Sequence, residues 1–271
     1  MPRGEFQIST KVGRTLHRPA DPARFDRSRW TEGLNFEVRF DYTHDGIMRS
    51  YEQSLQRLAL DTVDILLIHD LDRSHHGDMQ DVYEKQLETS GLKALQELKA
   101  AGGIKAFGMG INDNDGLENV ASRFDVDFCL VAMPYTMLDH ASLHRGMADL
   151  QRRGISAIIG TPFASGILAT GSKGEAHYAY GKASLEIQAR VRGMEAVCAA
   201  HGVALPAAAM HFALAHPIAA AIIPGAVRPE EVAQNVASLG STIPPAFWRD
   251  LKAQGLILPD APVPGANGLT P

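Results

Sequence analysis

Short apolar, β-branched runs alternate along the chain with longer stretches in which apolar residues recur at helical spacing. That alternation predicts βαβ units and a parallel sheet. The runs at 6–12, 63–69, 104–110, 127–132, 155–160 and 220–224 predict six strands. Amphipathic helices are predicted at 45–59, 86–101, 113–123, 143–153, 185–200 with 205–215, and 229–239. In 86–101, Leu87, Leu92, Leu95 and Leu98 form one apolar stripe while Lys93, Glu97 and Lys99 face water, and the Gly102–Gly103 pair ends the helix. The connections 13–43, 71–85 and 161–184 are too long for simple turns. In an α/β barrel such excursions cap the carboxyl ends of the strands and build the site. Past Gly240 the chain is rich in Pro and Gly with one helical stretch around 247–254, which predicts a trailing arm. The reading is a single barrel-type α/β domain over 1–258 with a tail at 259–271.

Composition narrows the class. With 26 basic against 31 acidic side chains in 271 residues the net charge is −5, which argues against nucleic acid as the main partner. An apolar share of 45% and a mean hydropathy of −0.10 fit a globular protein with a large core and exclude disorder as the main state. Cys129 and Cys198 lie far apart in apolar stretches, as buried thiols in a reducing compartment would. No apolar run is long enough to span a bilayer, and the first residues lack the apolar stretch of a signal peptide, so a cytoplasmic protein with no membrane partner is expected.

Polar residues mark the strand ends. Lys11 closes the first predicted strand, where an ammonium facing a cleft could lower a phenol pKa, bind phosphate or form a Schiff base; a strand-end lysine reaching solvent is the plain alternative. His69 follows the apolar run VDILLI and could orient a carbonyl or alcohol, or be a satisfied core histidine. Asn112 follows Gly108–Met109–Gly110, which lacks the third glycine of a dinucleotide loop; small residues there would let a flat ring approach, or merely make a turn. Barrel sites assemble from neighbouring strand ends, so Lys11, His69 and Asn112 are expected at one rim. His140 with His144, and His75 with His76, lack a third ligand at a recognisable spacing, and no metal is expected.

The segments STKVGR, FDYTHDGIMRSYEQSLQRLALDTVDILLIHD, GIKAFGMGIND and AAAIIPGAVRPEEVAQN together resemble the aldo-keto reductase superfamily. Within it the chain resembles the bacterial branch of D-threo-aldose, L-fucose and pyridoxal dehydrogenases, which oxidise a sugar at its anomeric carbon, or pyridoxal, to a lactone. The resemblance runs from Glu5 to about Leu258 and implies a (β/α)₈ barrel, a nicotinamide cofactor and a catalytic set of aspartate, tyrosine, lysine and histidine. Lys11 and His69 match the lysine and the histidine. The ten residues before Lys11 hold neither Tyr nor Asp, so the chain is expected to lack the first two βα units, either with Met1 an internal methionine of a longer gene, the favoured explanation, or as a genuinely shortened protein.

The implied mechanism has the family tyrosine take a hemiacetal hydroxyl proton, Lys11 lower its pKa, His69 orient the substrate oxygen, and hydride pass to the nicotinamide. Without that tyrosine, weak activity is expected, and Tyr42 and Tyr135 would be the first replacements to test. Asn112, Ser165, Gly166, Gly225, Gln234 and Asn235 match cofactor-contacting positions. Gly225 and Glu231 stand where NADP-preferring relatives place a lysine and an arginine, so NAD is expected over NADP although Arg228 is near. Gly160 and Ala132 depart from the family pattern around the nicotinamide. Two further readings stand beside this one: a cofactor-binding barrel without turnover, and a lyase that uses Lys11 as a Schiff-base nucleophile. The substrate would be a small sugar or a pyridoxal-like molecule. Finally, 6–12 and 220–224 are expected as sheet edges exposing Phe6, Ile8, Ile222 and Ile223, which would favour association.

Overall fold

Each of the six predicted apolar runs forms a strand. The computed structural model describes residues 2–26, 33, 35–174, 176–179 and 181–265. These fall into two units, Met1–Gly110 with Phe124–Asp127, and Ile111–Arg123 with Phe128–Pro271.

The first unit runs β1 (Ser9–Val12), β2 (Arg14–His17), β3 (Glu37–Phe40), α1 (His44–Leu58), β4 (Ile65–Ile68), α2 (Arg73–His76), α3 (Gln80–Gln86), α4 (Leu92–Ala100) and β5 (Ala106–Ile111), whose last residue begins the second unit. The strands β1, β4 and β5 pair in parallel, with Lys11 beside Leu67 and Leu67 beside Gly108. Leu66, Leu67 and Ile68 are all buried, as a parallel strand covered on both faces requires. Thr43 caps α1 by accepting from Gly46 N at 3.2 Å, and Ile47 and Tyr51 point into the core.

Two expectations change here. The connection 13–43 contains the antiparallel hairpin β2–β3, entered through Gly13 at φ +100°. The helix predicted at 86–101 starts earlier, as α3, and continues through a π turn at Leu87–Gly91 into α4. Gly91 lies there against the Tyr42 carbonyl: a Cβ would come within 2.1 Å of that oxygen.

The second unit runs α5 (Asn114–Arg123), β6 (Phe128–Val131), α6 (Gly146–Arg153), β7 (Ser156–Ile159), α7 (Ile167–Thr170), β8 (His177–Tyr178), β9 (Gly181–Lys182), α8 (Leu185–His201), α9 (Leu205–Leu214), β10 (Ala219–Ile222), α10 (Pro229–Leu239) and α11 (Pro245–Ala253). The strands β6, β7 and β10 are parallel, and β8–β9 is a small hairpin. The helix α9 is buried along most of its length, whereas α10 buries none of its residues. The segment past Gly240 is not a trailing arm. Phe247, Trp248 and Leu251 are buried, Lys252 Nζ donates to Ala261 O at 2.8 Å, and Leu258 N donates to His140 Nε2 at 3.0 Å. The apolar stripe of α11 supplies the burial that the Pro and Gly content concealed.

Within their own units β1 pairs only with β4 and β10 only with β7 among the described residues. Phe6 and Ile223 are exposed, while Ile8 and Ile222 are half-buried. Cys129 and Cys198 are buried free thiols, and burial pushes them up to about 12 and about 11. No single helix among the described residues is long and apolar enough to cross a membrane.

Candidate active site

The parallel register determines which strand-end side chains share a face. Lys11 is level with Leu67, and side chains alternate, so Lys11, Leu67 and the residue two beyond it, His69, point to the same side of β1 and β4. Gly108 and Gly110 of β5 lie on that face too, and a Cβ on Gly110 would meet nothing within 4 Å. His69 N donates to Val12 O at 3.1 Å, which extends the ladder to the strand end.

Around His69 the chain gathers a charged cluster. Asp70 sits at φ +52° and is buried, a backbone state that aspartate tolerates better than most residues. Its carboxylate pairs with Arg14, lies 3.2 Å from His69 Nδ1 and 3.6 Å from His75 Nε2. His75 Nδ1 in turn lies 2.9 Å from Asp72, whose carboxylate also accepts from Ser74 Oγ at 2.5 Å. Burial first, then the positive charges of Arg14 and Lys11 and the proximity of His75, hold the His69 imidazole down to about 3, with Asp72 opposing. His69 is therefore held in its neutral form at physiological pH, in which one ring nitrogen can donate a hydrogen bond and the other accept one.

Neither tyrosine considered as a substitute acid/base is an accessible phenol. Tyr42 is fully buried; its hydroxyl donates to the His69 carbonyl at 2.7 Å and lies 2.9 Å from His76 Nε2. Burial raises its pKa far above the ordinary phenol value. Tyr135, in the second unit, is equally buried and is shifted up for the same reason.

The metal question is spatial rather than sequential. Asp70, Asp72 and His75 bring ligand atoms within 4.8 Å of one another, a grouping that sequence spacing missed. Their partners come from the protein itself, since Arg14 pairs with Asp70 and His75 with Asp72. His140 is no ligand: Nδ1 is 3.1 Å from Thr136 O and Nε2 accepts from Leu258 N. His144 instead lies 3.2 Å from Asp260.

In the second unit Asn112 directly follows β5 and is half-buried. Ser165 and Gly166 belong to a left-handed run, Ala164 at φ +48°, Ser165 at +61° and Gly166 at +102°, and the Ser165 hydroxyl points at Met133 Sδ, 3.7 Å away. Gly225 and Asn235 are brought together by Asn235 Nδ2 donating to Gly225 O at 3.4 Å, while Gln234 is exposed on α10. Glu231 folds back on its own loop. It accepts from Val227 N at 2.8 Å and pairs with Arg228, also at 2.8 Å. A Cβ on Gly166 or Gly225 would meet nothing within 4 Å, so both segments leave open space that a nucleotide could fill. At Gly160 a Cβ would lie 2.8 Å from Leu130 Cδ2, so a side chain there would have to displace Leu130. The apolar run before HDLD marked His69, but the roles of Arg14, Asp70 and His75 come from long-range pairing that no local pattern announces.

Residues 1–254 match the Aldo/keto reductase family. The chain is 39% identical over 255 residues to pyridoxal 4-dehydrogenase of Microbacterium luteolum, covering 94% of this chain and 74% of that protein. It is 32% identical over 263 residues to D-threo-aldose 1-dehydrogenase of a Pseudomonas species, covering 94% and 77%. A solved aldo-keto reductase of Bacillus halodurans in its holo form superposes with a TM-score of 0.65 at 18% identity, over 94% of this chain and 73% of that one. That likeness carries the (β/α)₈ barrel fold class, of which six parallel strands are present here. The chain belongs to the aldo/keto reductase family, oxidoreductases that use nicotinamide cofactors.

Proposed function

We propose that the protein oxidises a cyclic hemiacetal, the anomeric carbon of an aldose or the hemiacetal of pyridoxal, to a lactone. The observation that carries this is the placement of Lys11 and His69 on one face of adjacent strands. It is supported by the two relatives named for pyridoxal and aldose dehydrogenation. The nicotinamide, when bound, supplies the hydride acceptor. Ser165, Gly166, Gly225, Gln234, Asn235 and Asn112 are the residues that would hold it. Lys11 supplies positive charge beside the reacting oxygen, His69 hydrogen-bonds that oxygen, and the hydroxyl proton passes to solvent water.

NAD is the preferred cofactor in this reading. Arg228 is engaged by Glu231, and the pair leaves a carboxylate where a 2′-phosphate would need a cation. The chemistry needs only small-molecule partners, and the free buried thiols suit a reducing compartment.

The test is to incubate the purified chain with NAD or NADP and, in turn, pyridoxal, L-fucose and D-arabinose, following reduced nicotinamide and lactone together. Equal amounts of both products, more with NAD, are expected. Turnover should be slow, because the phenols of Tyr42 and Tyr135 are both fully buried. NAD binding without lactone from any substrate would favour the cofactor-binding reading, and a borohydride-trapped adduct on Lys11 would favour the Schiff-base one.

A further inference from the structure

We infer that Asp70 is a positioning residue that fixes the His69 imidazole as its Nδ1–H tautomer, so that Nε2 is presented as the acceptor of the substrate's hydroxyl proton in a hydrogen bond. The inference rests on the oxidoreductase reading only for its consequence, not for the tautomer itself.

Its basis is the geometry of the carboxylate. Asp70 Oδ2 lies 3.2 Å from His69 Nδ1, and the carboxylate is buried, where a negative charge acts through little water. A neutral imidazole has one N–H and one lone pair, and the nitrogen beside a buried anion keeps the proton. The left-handed backbone at Asp70 sets the carboxylate beside the preceding residue's ring, and Arg14 holds it there. The Tyr42 hydroxyl bond to the His69 carbonyl holds the same residue from its main-chain side. The groups that face His69 are Lys11, Arg14, His75, Asp72 and Asp70. The three basic residues oppose a second proton on the ring.

The consequence concerns which form of the substrate is bound. An imidazole with a lone pair at Nε2 receives a hydrogen bond from an alcohol or hemiacetal O–H, whereas one with Nε2–H donates to a carbonyl. The Asp70 arrangement therefore favours binding of the hydroxyl form. Sequence-wise the device is compact: a histidine closing a buried strand, followed at once by an aspartate in a left-handed turn.

The experiment records long-range ¹H–¹⁵N spectra of the histidine rings in the resting protein, without substrate or nicotinamide, with His69→Gln to assign the signal. Two variants separate positioning from turn formation. Asp70→Gly accepts the left-handed backbone but removes the acceptor, and Asp70→Asn keeps an amide oxygen that can accept from Nδ1–H. The expected result is a His69 Nδ1–H tautomer in the native protein and in Asp70→Asn, lost or mixed in Asp70→Gly. Oxidation by Asp70→Gly should fall in kcat by about tenfold or more, with KM within about threefold, and Asp70→Asn should recover most of the loss. A His69 Nε2–H tautomer in the native protein, or one unchanged in Asp70→Gly, would overturn the inference. A merely structural Asp70 would leave Asp70→Gly as active as Asp70→Asn. Because the tautomer is read without turnover, an inactive protein with the expected spectrum would count against the oxidoreductase reading alone.

Discussion

In the first unit Gly13 and Gly91 are closed in by protein: a Cβ would stand 2.4 Å from Tyr42 Cε1 at Gly13 and 2.1 Å from the Tyr42 carbonyl oxygen at Gly91. In the second unit Gly166 and Gly225 face open space, with nothing within 4 Å of an added Cβ. The same residue type thus serves packing at one pair of positions and accessibility at the other. Side chains follow suit. The first unit ties Arg14, His69, Asp70, Asp72 and His75 into contacts that hold each group in place. The second offers an exposed α10 and a loop in which Glu231 and Arg228 neutralise one another. A rigid charged cluster suits bond-making chemistry, and an open surface with few bulky side chains suits a long, flexible ligand.

Alanine at one glycine from each region separates packing from accessibility most sharply. Gly91→Ala must push the Tyr42 main chain away and should cost about 3 kcal/mol of stability. Gly225→Ala should change stability by less than about 0.5 kcal/mol, yet weaken NAD binding by about tenfold. Thermal melts and an NAD titration of both variants check the pair. A Gly225→Ala protein that binds NAD as tightly as the parent would remove that glycine from the cofactor site.

Acid should expose the cost of buried neutral histidines in both regions, with a smaller effect. His69 is held down to about 3 and His216 to about 4, burial being the leading cause in each. An unfolded histidine protonates near pH 6.5, so below about that pH the unfolded chain binds more protons than the folded one. Stability should therefore fall as pH drops from about 6.5 toward 4, by at most about 1.4 kcal/mol per unit for each of these groups. His216 Nδ1 accepts from Ile218 N at 3.4 Å, a bond that protonation removes. His216→Phe should reduce the slope by one proton, measured as the pH dependence of the urea midpoint. An unchanged slope would mean that His216 titrates alike in both states.

How far the sequence carried this picture depended on whether each feature was local. The strand at Ile65–Ile68 and the helix at Pro229–Leu239 were readable because their periodicity lies within the element. The π turn at Leu87–Gly91 was not, because the Tyr42 carbonyl that packs against Gly91 there is distant in sequence. The hairpin β2–β3 escaped because RTLH and EVRF are short and polar, and their pairing is long-range. Past Gly240, abundant Pro and Gly outweighed the pattern of Phe247, Trp248 and Leu251, although those three carry the packing. At the site, Lys11 and His69 were legible as polar residues ending apolar strands, whereas the Arg14–Asp70 pair that organises them joins two distant strand ends.

The central claim is that Lys11 and His69 carry the chemistry while cofactor affinity resides in other residues. It is tested most directly by single-turnover hydride transfer at saturating NAD in Lys11→Met, followed through the absorbance of reduced nicotinamide. The account predicts a rate lowered by about 10²-fold or more, with the NAD dissociation constant within about twofold of the parent. A rate within about threefold of the parent, or a loss of NAD affinity that explains the whole decrease, would contradict it.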